Sequence, residues 1–136
     1  EVDSCAYFIR LAHGFWKAVG DEMFSFDKGI TTILLQAFQK VVNQLQIEQS
    51  HDLFSPYIFP AEVSNNGKGP RTKFTGLTFS AFRPSDDPTT FGFNVPQNMM
   101  IAVAMDQLVE MMQDGYFASR PIDAEWDVVL KSALLL

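Results

Sequence analysis

The stretch Asp27-Lys28-Gly29-Ile30-Thr31-Thr32-Ile33-Leu34-Leu35-Gln36-Ala37-Phe38-Gln39-Lys40-Val41-Val42-Asn43-Gln44-Leu45 decides the fold. Ile30, Ile33, Leu34, Ala37, Phe38, Val41, Val42 and Leu45 recur at steps of three and four, the period that gathers side chains on one face of a helix. Asp27 stands where a short polar side chain can cap the first turn, so the spacing predicts a helix of about five turns. Upstream, Phe8, Leu11, Ala12, Phe15, Trp16 and Val19 repeat the pattern in a first helix that stops near Gly20. Downstream, Asn94 as cap and Pro96 in the first turn open a third helix through Met100, Val103, Ala104, Gln107, Leu108 and Met111 to Gly115. A fourth starts at Asp123 and carries Trp126, Val129, Leu130, Ala133 and Leu134. Four amphipathic helices define an all-α class.

The chain has 136 residues, enough for one domain with a core, and 47% of them are hydrophobic, which excludes intrinsic disorder. A formal charge of −6 argues against a surface that neutralises nucleic-acid phosphates. Cys5 is the single cysteine, so no internal disulfide forms, and no Cys or His spacing suits a structural zinc. No cofactor is expected. The longest uninterrupted apolar run, Met99 to Met105, is far shorter than a membrane span needs, so a soluble chain is expected. The fourth helix runs into Leu134, Leu135 and Leu136 without a closing cap, and Glu1 falls at the entrance of the first. Residues 1–136 are accordingly expected to be an interior portion of a longer polypeptide.

Ser50 to Asn94 is far longer than the links usual between packed helices. It holds Phe54, Phe59, Phe74, Phe79, Phe82, Phe91 and Phe93 together with Tyr57, and burial of those rings is expected to fold it. Alternation over Thr72 to Phe82, with Asn66-Gly67 as a tight turn, suggests a short hairpin. Ser64 to Pro70 lacks the order of a phosphate-binding loop and reads as a surface turn. His13 reads as a helix residue, His51 as a helix-terminal cap, and the methionines, Trp16 and Trp126 as core.

Arg83-Pro84-Ser85-Asp86-Asp87-Pro88 is where chemistry concentrates: two adjacent carboxylates, an arginine and two stiffening prolines among aromatic residues. If Asp86 is tied to Arg83 or to hydroxyls it stays ionised, and the neighbouring like charge favours a protonated Asp87 able to donate. The same residues also read as a Ser-Asp-Asp-Pro turn whose side chains cap the backbone. Glu1 and Asp3 read either as binding carboxylates or as acids favoured by the dipole of a helix start, and Tyr57 as a platform for a sugar face or a core ring.

The segment Gly76-Leu77-Thr78-Phe79-Ser80-Ala81-Phe82-Arg83-Pro84-Ser85-Asp86-Asp87, continuing to Val95-Pro96-Gln97-Asn98-Met99-Met100, resembles glycoside hydrolase family 125, the exo-acting α-1,6-mannosidases. Glu1-Val2-Asp3-Ser4, Ser55-Pro56-Tyr57 with Phe59, and Asn66-Gly67-Lys68-Gly69 match further motifs of that family in order. The resemblance implies part of an (α/α)6 barrel made of helical hairpins, with the long connection building the substrate pocket. It also implies a metal-independent, inverting hydrolase acting on mannose-containing oligosaccharides or glycans. The general acid would be Asp87, with Asp86 as the alternate, and Arg83, Ser85, Asp3, Glu1, Tyr57 and Asn98 would bind substrate. The family's base, a glutamate, has no counterpart here, since Glu110 and Glu125 lack its surrounding pattern, and the stretch Pro60 to Val63 is shorter than the family's. Two rival readings are a non-enzymatic helical module that binds proteins through its Phe-rich loop, and a barrel glycosidase of another linkage preference.

Overall fold

The computed structural model describes residues 2–24, 28–59, 63–113, 124–134 and 136. It contains α1 (Asp3–Phe24), α2 (Lys28–Glu48), α3 (His51–Phe54), α4 (Val95–Gln113) and α5 (Ala124–Ala133). Among the described residues there is no strand, so the all-α expectation holds. The expected hairpin over Thr72 to Phe82 does not form. What remains of it is a single antiparallel bridge between Phe82 and Pro88, because the Asn65-Asn66-Gly67 turn folds back onto Phe59, whose N–H donates to Gly67 O at 2.7 Å.

The start of α4 follows the sequence closely. Asn94 Oδ1 accepts the N–H of Gln97 at 3.1 Å, satisfying a donor that the first turn leaves free, and Pro96 occupies a position whose missing N–H costs nothing. In α1 the expected stop at Gly20 is a kink: this residue takes φ 75, ψ 173, a conformation open to glycine, and the helix resumes to Phe24. Asp27, Pro60 to Glu62, Gly115, Asp123 and the side chains of Glu125 and Trp126 lie outside the described residues.

α1 packs mainly on α4, α2 mainly on α5, and α4 also meets α5, whereas the sequence neighbours α1 and α2 touch least. The core is Ala6, Ile9, Phe38, Val42, Leu45, Ala104, Leu108 and Met111, all fully buried. Burying each large apolar side chain contributes about 1.5–3 kcal/mol. The helical period predicted the helices well and their inward faces less well. Beginning at Val2 just ahead of α1, the buried line runs through Ala6, Ile9, Ala12 and Trp16, while Leu11 and Phe15 are exposed; on α2, Ile30 and Ile33 are exposed; on α4, Ile101 and Met105 are buried and Val103 is exposed. These helices are apolar on more than one side, so periodicity alone leaves open which side meets a neighbour.

A second, smaller core sits in the long connection: Val63, Phe79 and Ala81, with Phe59, Phe82 and Phe93 packed against them. Burial of the loop rings is therefore partial. Phe54, Phe74 and Phe91 are exposed, contrary to expectation, because the small core is filled by the rings nearest Phe79. Among the described residues no helix is long and apolar enough to cross a membrane.

Candidate active site

Residues 80–89 form a tight knuckle. Asp86 N–H donates to Arg83 O and Arg83 N–H to Asp87 O, both at 2.9 Å, while Thr89 N–H reaches Ala81 O at 2.8 Å. Two hydroxyls brace the stem: Thr89 Oγ1 donates to Ser80 O at 2.7 Å and Ser80 Oγ to Phe82 O at 2.6 Å. Asp86 sits at φ 64, in the left-handed region that aspartate tolerates better than most residues.

The turn brings Arg83, Ser85 and Asp87 together. Arg83 Nη2 donates to Asp87 Oδ2 at 3.2 Å and Ser85 Oγ donates to the same oxygen at 2.8 Å, and among the described residues Oδ1 has no partner. The arginine thus takes Asp87, where the sequence had suggested Asp86; the left-handed backbone at Asp86 carries that side chain away, and it makes no side-chain bond among the described residues. Arg83 and Asp87 are more than half exposed, at 54% and 57% of their side chains, so they stand at a rim and not in a hollow.

The concavity nearest this knuckle has a volume of about 230 Å³ and is lined by Cys5, Gln44, Glu48, Tyr57, Phe59 and Ser80, among others. Ser80 and Ala81, the stem of the knuckle, form one of its walls. Tyr57 lines it while half exposed, with its ring stacked on Phe59 at a centroid distance of 6.3 Å. Neither Asp86 nor Asp87 lines it. A larger cavity of about 580 Å³ lies between α2 and α5, but among the described residues its lining holds no carboxylate and shares nothing with the loop, so it is the weaker candidate for hydrolytic chemistry.

Asp3 is buried in the first turn of α1 and accepts Gln97 Nε2 at 3.0 Å, which ties α1 to the start of α4. Glu1 lies outside the described residues. Asn98 is engaged by the backbone: Oδ1 accepts Thr78 N–H at 2.8 Å, and Nδ2 donates to Thr78 O and Asn94 O at 3.0 Å. In this chain its amide holds the loop against α4. Burial pushes the Cys5 thiol up from its ordinary value. Among the described residues no three His, Cys, Asp or Glu side chains cluster as metal ligands would.

Sequence reasoning missed Glu48, His51 and Gln44. His51 is no helix-terminal cap; it opens α3 and is fully buried, with its ring stacked on Phe79 at 3.8 Å between centroids. Nδ1 lies 2.5 Å from Glu48 Oε2, and Nε2 donates to Lys68 O at 2.8 Å. The other Glu48 oxygen accepts Ser55 Oγ and Gln44 Nε2, each at 2.7 Å. The one signal was the Glu-x-x-His spacing, which puts the two side chains on one side of a turn.

An all-α chain with a carboxylate knuckle beside a ring-lined concavity has the build of a helical-barrel glycosidase. It superimposes with a TM-score of 0.79 and 30% identity on a metal-independent α-mannosidase of Streptococcus pneumoniae, solved as a non-productive complex with α-1,6-mannobiose; the match covers 98% of this chain and 30% of that one. A curated relative, the meiotically up-regulated gene 157 protein of Schizosaccharomyces pombe, is 29% identical over 131 residues, or 83% of this chain and 24% of the relative. The family model for metal-independent α-mannosidases of glycoside hydrolase family 125 matches residues 1–129, and the chain belongs to that family. It spans less than a third of either relative.

Proposed function

We propose that the protein of which residues 1–136 are a single partial catalytic domain removes terminal α-1,6-linked mannose from oligosaccharides or glycans, with inversion at the anomeric carbon. The observation that carries this reading is the match, over 98% of the chain, to a mannosidase bound to α-1,6-mannobiose. Asp87 is the general acid. Arg83 and Ser85 donate to its Oδ2 and so orient the carboxyl, whose Oδ1 receives no hydrogen bond from the described residues. Asp86, one residue away and without a side-chain partner among the described residues, is the alternate.

Tyr57 offers a ring face to the sugar beside the knuckle, Asp3 and Glu1 belong to the substrate-contacting set, and Asn98 acts by holding Thr78. Single displacement needs a base about 6.5–9.5 Å from the acid, with water between them. No glutamate here matches the family's base, so it comes from outside these residues, as do the walls that would enclose the rim where Asp87 stands. The exposed rings of Phe54, Phe74 and Phe91 support a second reading, a protein-binding patch on a non-enzymatic module.

The test is to incubate the full-length protein with α-1,6-, α-1,2- and α-1,3-mannobiose and follow the first-formed anomer by proton NMR. Release of β-mannose from the α-1,6 substrate alone supports the proposal. Preference for another linkage selects the alternative glycosidase, and no hydrolysis of any substrate favours the interaction module.

A further inference from the structure

The geometry points to Glu48 and His51 as positioning residues that fix the Asp86–Asp87 knuckle from beneath, an inference that rests on the mannosidase reading for its catalytic consequence. Both side chains are buried, Glu48 at 5% exposure and His51 at 0%, in a chain where such groups need partners. They have them at every polar atom. Lys68 O can only accept, so His51 Nε2 carries a hydrogen, and Nδ1 is in hydrogen-bond contact with Glu48 Oε2.

This pair joins three separate stretches of chain: the α2–α3 junction through Tyr57, the glycine turn at Lys68, and Phe79. Glu48 ends α2, and through Oε1 it holds Ser55, whose Oγ in turn accepts the Tyr57 N–H at 3.3 Å. Through its own carbonyl Glu48 accepts Phe79 N–H at 3.1 Å. His51 reaches the glycine turn through Lys68 O, and Lys68 Nζ returns to Ser55 O at 2.6 Å. Phe79 is clamped between the imidazole face and the backbone of two glycines: a Cβ at Gly69 would lie 2.7 Å from its Cζ, and one at Gly92 would also collide with the ring. Ser80 and Ala81 follow directly and carry the knuckle through Thr89. The path from the buried pair to Asp87 therefore runs Glu48, His51, Phe79, Ser80, Phe82, Arg83, with a hydrogen bond, a ring stack or a peptide linkage at each step.

Rigid support of this kind is what a proton donor on an exposed turn requires, since small misplacement of a catalytic group lowers turnover steeply. His51 lies away from the concavity and acts through Phe79; Glu48, which lines it at 5% exposure, acts through His51, Ser55 and the Phe79 N–H.

The test uses the full-length protein with His51→Gln, which keeps a donor toward Lys68 O and loses the Glu48 contact, His51→Asn, which does the reverse, and Glu48→Gln. Phe79→Leu, which removes the stack while leaving an apolar side chain, serves should the polar variants fail to fold. Two readouts are taken: amide exchange at Phe79, Arg83 and Thr89 against the amides of α4, and kcat with KM on α-1,6-mannobiose. Protection at the three loop amides is expected to fall about tenfold or more while α4 is unchanged, with kcat down about tenfold and KM within about threefold. Equal loss of protection in loop and helix, or local loosening with kcat per folded molecule intact, overturns the assignment. If the wild-type protein cleaves no α-mannoside, the mannosidase reading falls, and exchange alone then decides whether the pair anchors the loop.

Discussion

Asn98 clasps the backbone of Thr78 from both sides, accepting its N–H on Oδ1 at 2.8 Å and donating from Nδ2 to its carbonyl at 3.0 Å. One side chain on α4 thereby does for the loop what a neighbouring strand would do in a sheet, and Thr78 lies two residues before Ser80, where the stem of the acidic knuckle begins. Thr78 is buried, so its N–H has no water to turn to when the amide is removed.

Asn98→Ala is therefore expected to destabilise the protein by about 2–3 kcal/mol, the cost of leaving a buried donor and acceptor unpaired. Urea titration checks this through a lowered midpoint. Asn98→Asp, which retains the acceptor and loses the donor, should fall between the two.

Phe79 is nearly fully buried between His51 and two glycines, so Phe79→Ala should cost about 3–5 kcal/mol, the range for an aromatic deleted from a core. Gly92→Ala pushes on the same ring and demands φ 75 of an alanine, so it should destabilise by at least about 1 kcal/mol. Thermal melts of the two variants and their double mutant check the account: with the ring gone, alanine at 92 loses its clash, and the costs should add to less than their sum.

Glu110 on α4 receives hydrogen bonds from Lys17 and from His13, the latter at 2.8 Å, and so ties α4 to α1. The Lys17 ammonium first, and His13 second, hold its carboxyl below the usual carboxylate range. A carboxyl depressed in the folded state stabilises above its unfolded value of about 4.3 and loses that contribution as the pH falls through its lower folded value. Glu110→Gln should lower the melting temperature slightly at pH 7, and the gap to wild type should close in melts run progressively below about pH 4.

Cys5 is half-buried in α1 and its thiol is pushed up by burial, so less of it is thiolate at neutral pH. Alkylation by iodoacetamide at pH 7.5, followed by mass spectrometry, should be slower in the folded protein than in urea. Equal rates would contradict the burial described for it.

How far the sequence reached follows from what each signal encodes. The helices and the Asn94 cap were legible because their determinants lie within a few residues: an apolar period, a capping oxygen, a proline in the first turn. Which face of α1 turns inward was not, since Leu11 and Phe15 repeat with the same period as the buried residues and only the partner helix decides between them. Arg83, Asp86 and Asp87 were legible as a charged motif, with Asp86 read as the partner of the arginine where the structure has Asp87. Their pairing was not, because it depends on the positive φ of Asp86. The Glu48–His51 pair escaped notice for a different reason: its partners Ser55, Lys68 and Phe79 are scattered over a loop whose path the sequence does not specify. The hairpin expectation failed because the Asn66-Gly67 turn folds back onto Phe59, while Thr78 in the alternating stretch pairs with a helix side chain, Asn98, and not with a second strand.

The central claim is that Asp87 donates the proton to the leaving group, and the most direct measurement is kcat/KM of the full-length Asp87→Asn protein on two substrates. On α-1,6-mannobiose, whose leaving oxygen needs a proton, turnover should fall by about two to four orders of magnitude. On an α-mannoside with a dinitrophenolate leaving group, which departs without protonation, it should fall far less. An unchanged rate on the disaccharide, or an equal loss on both substrates, would contradict the account.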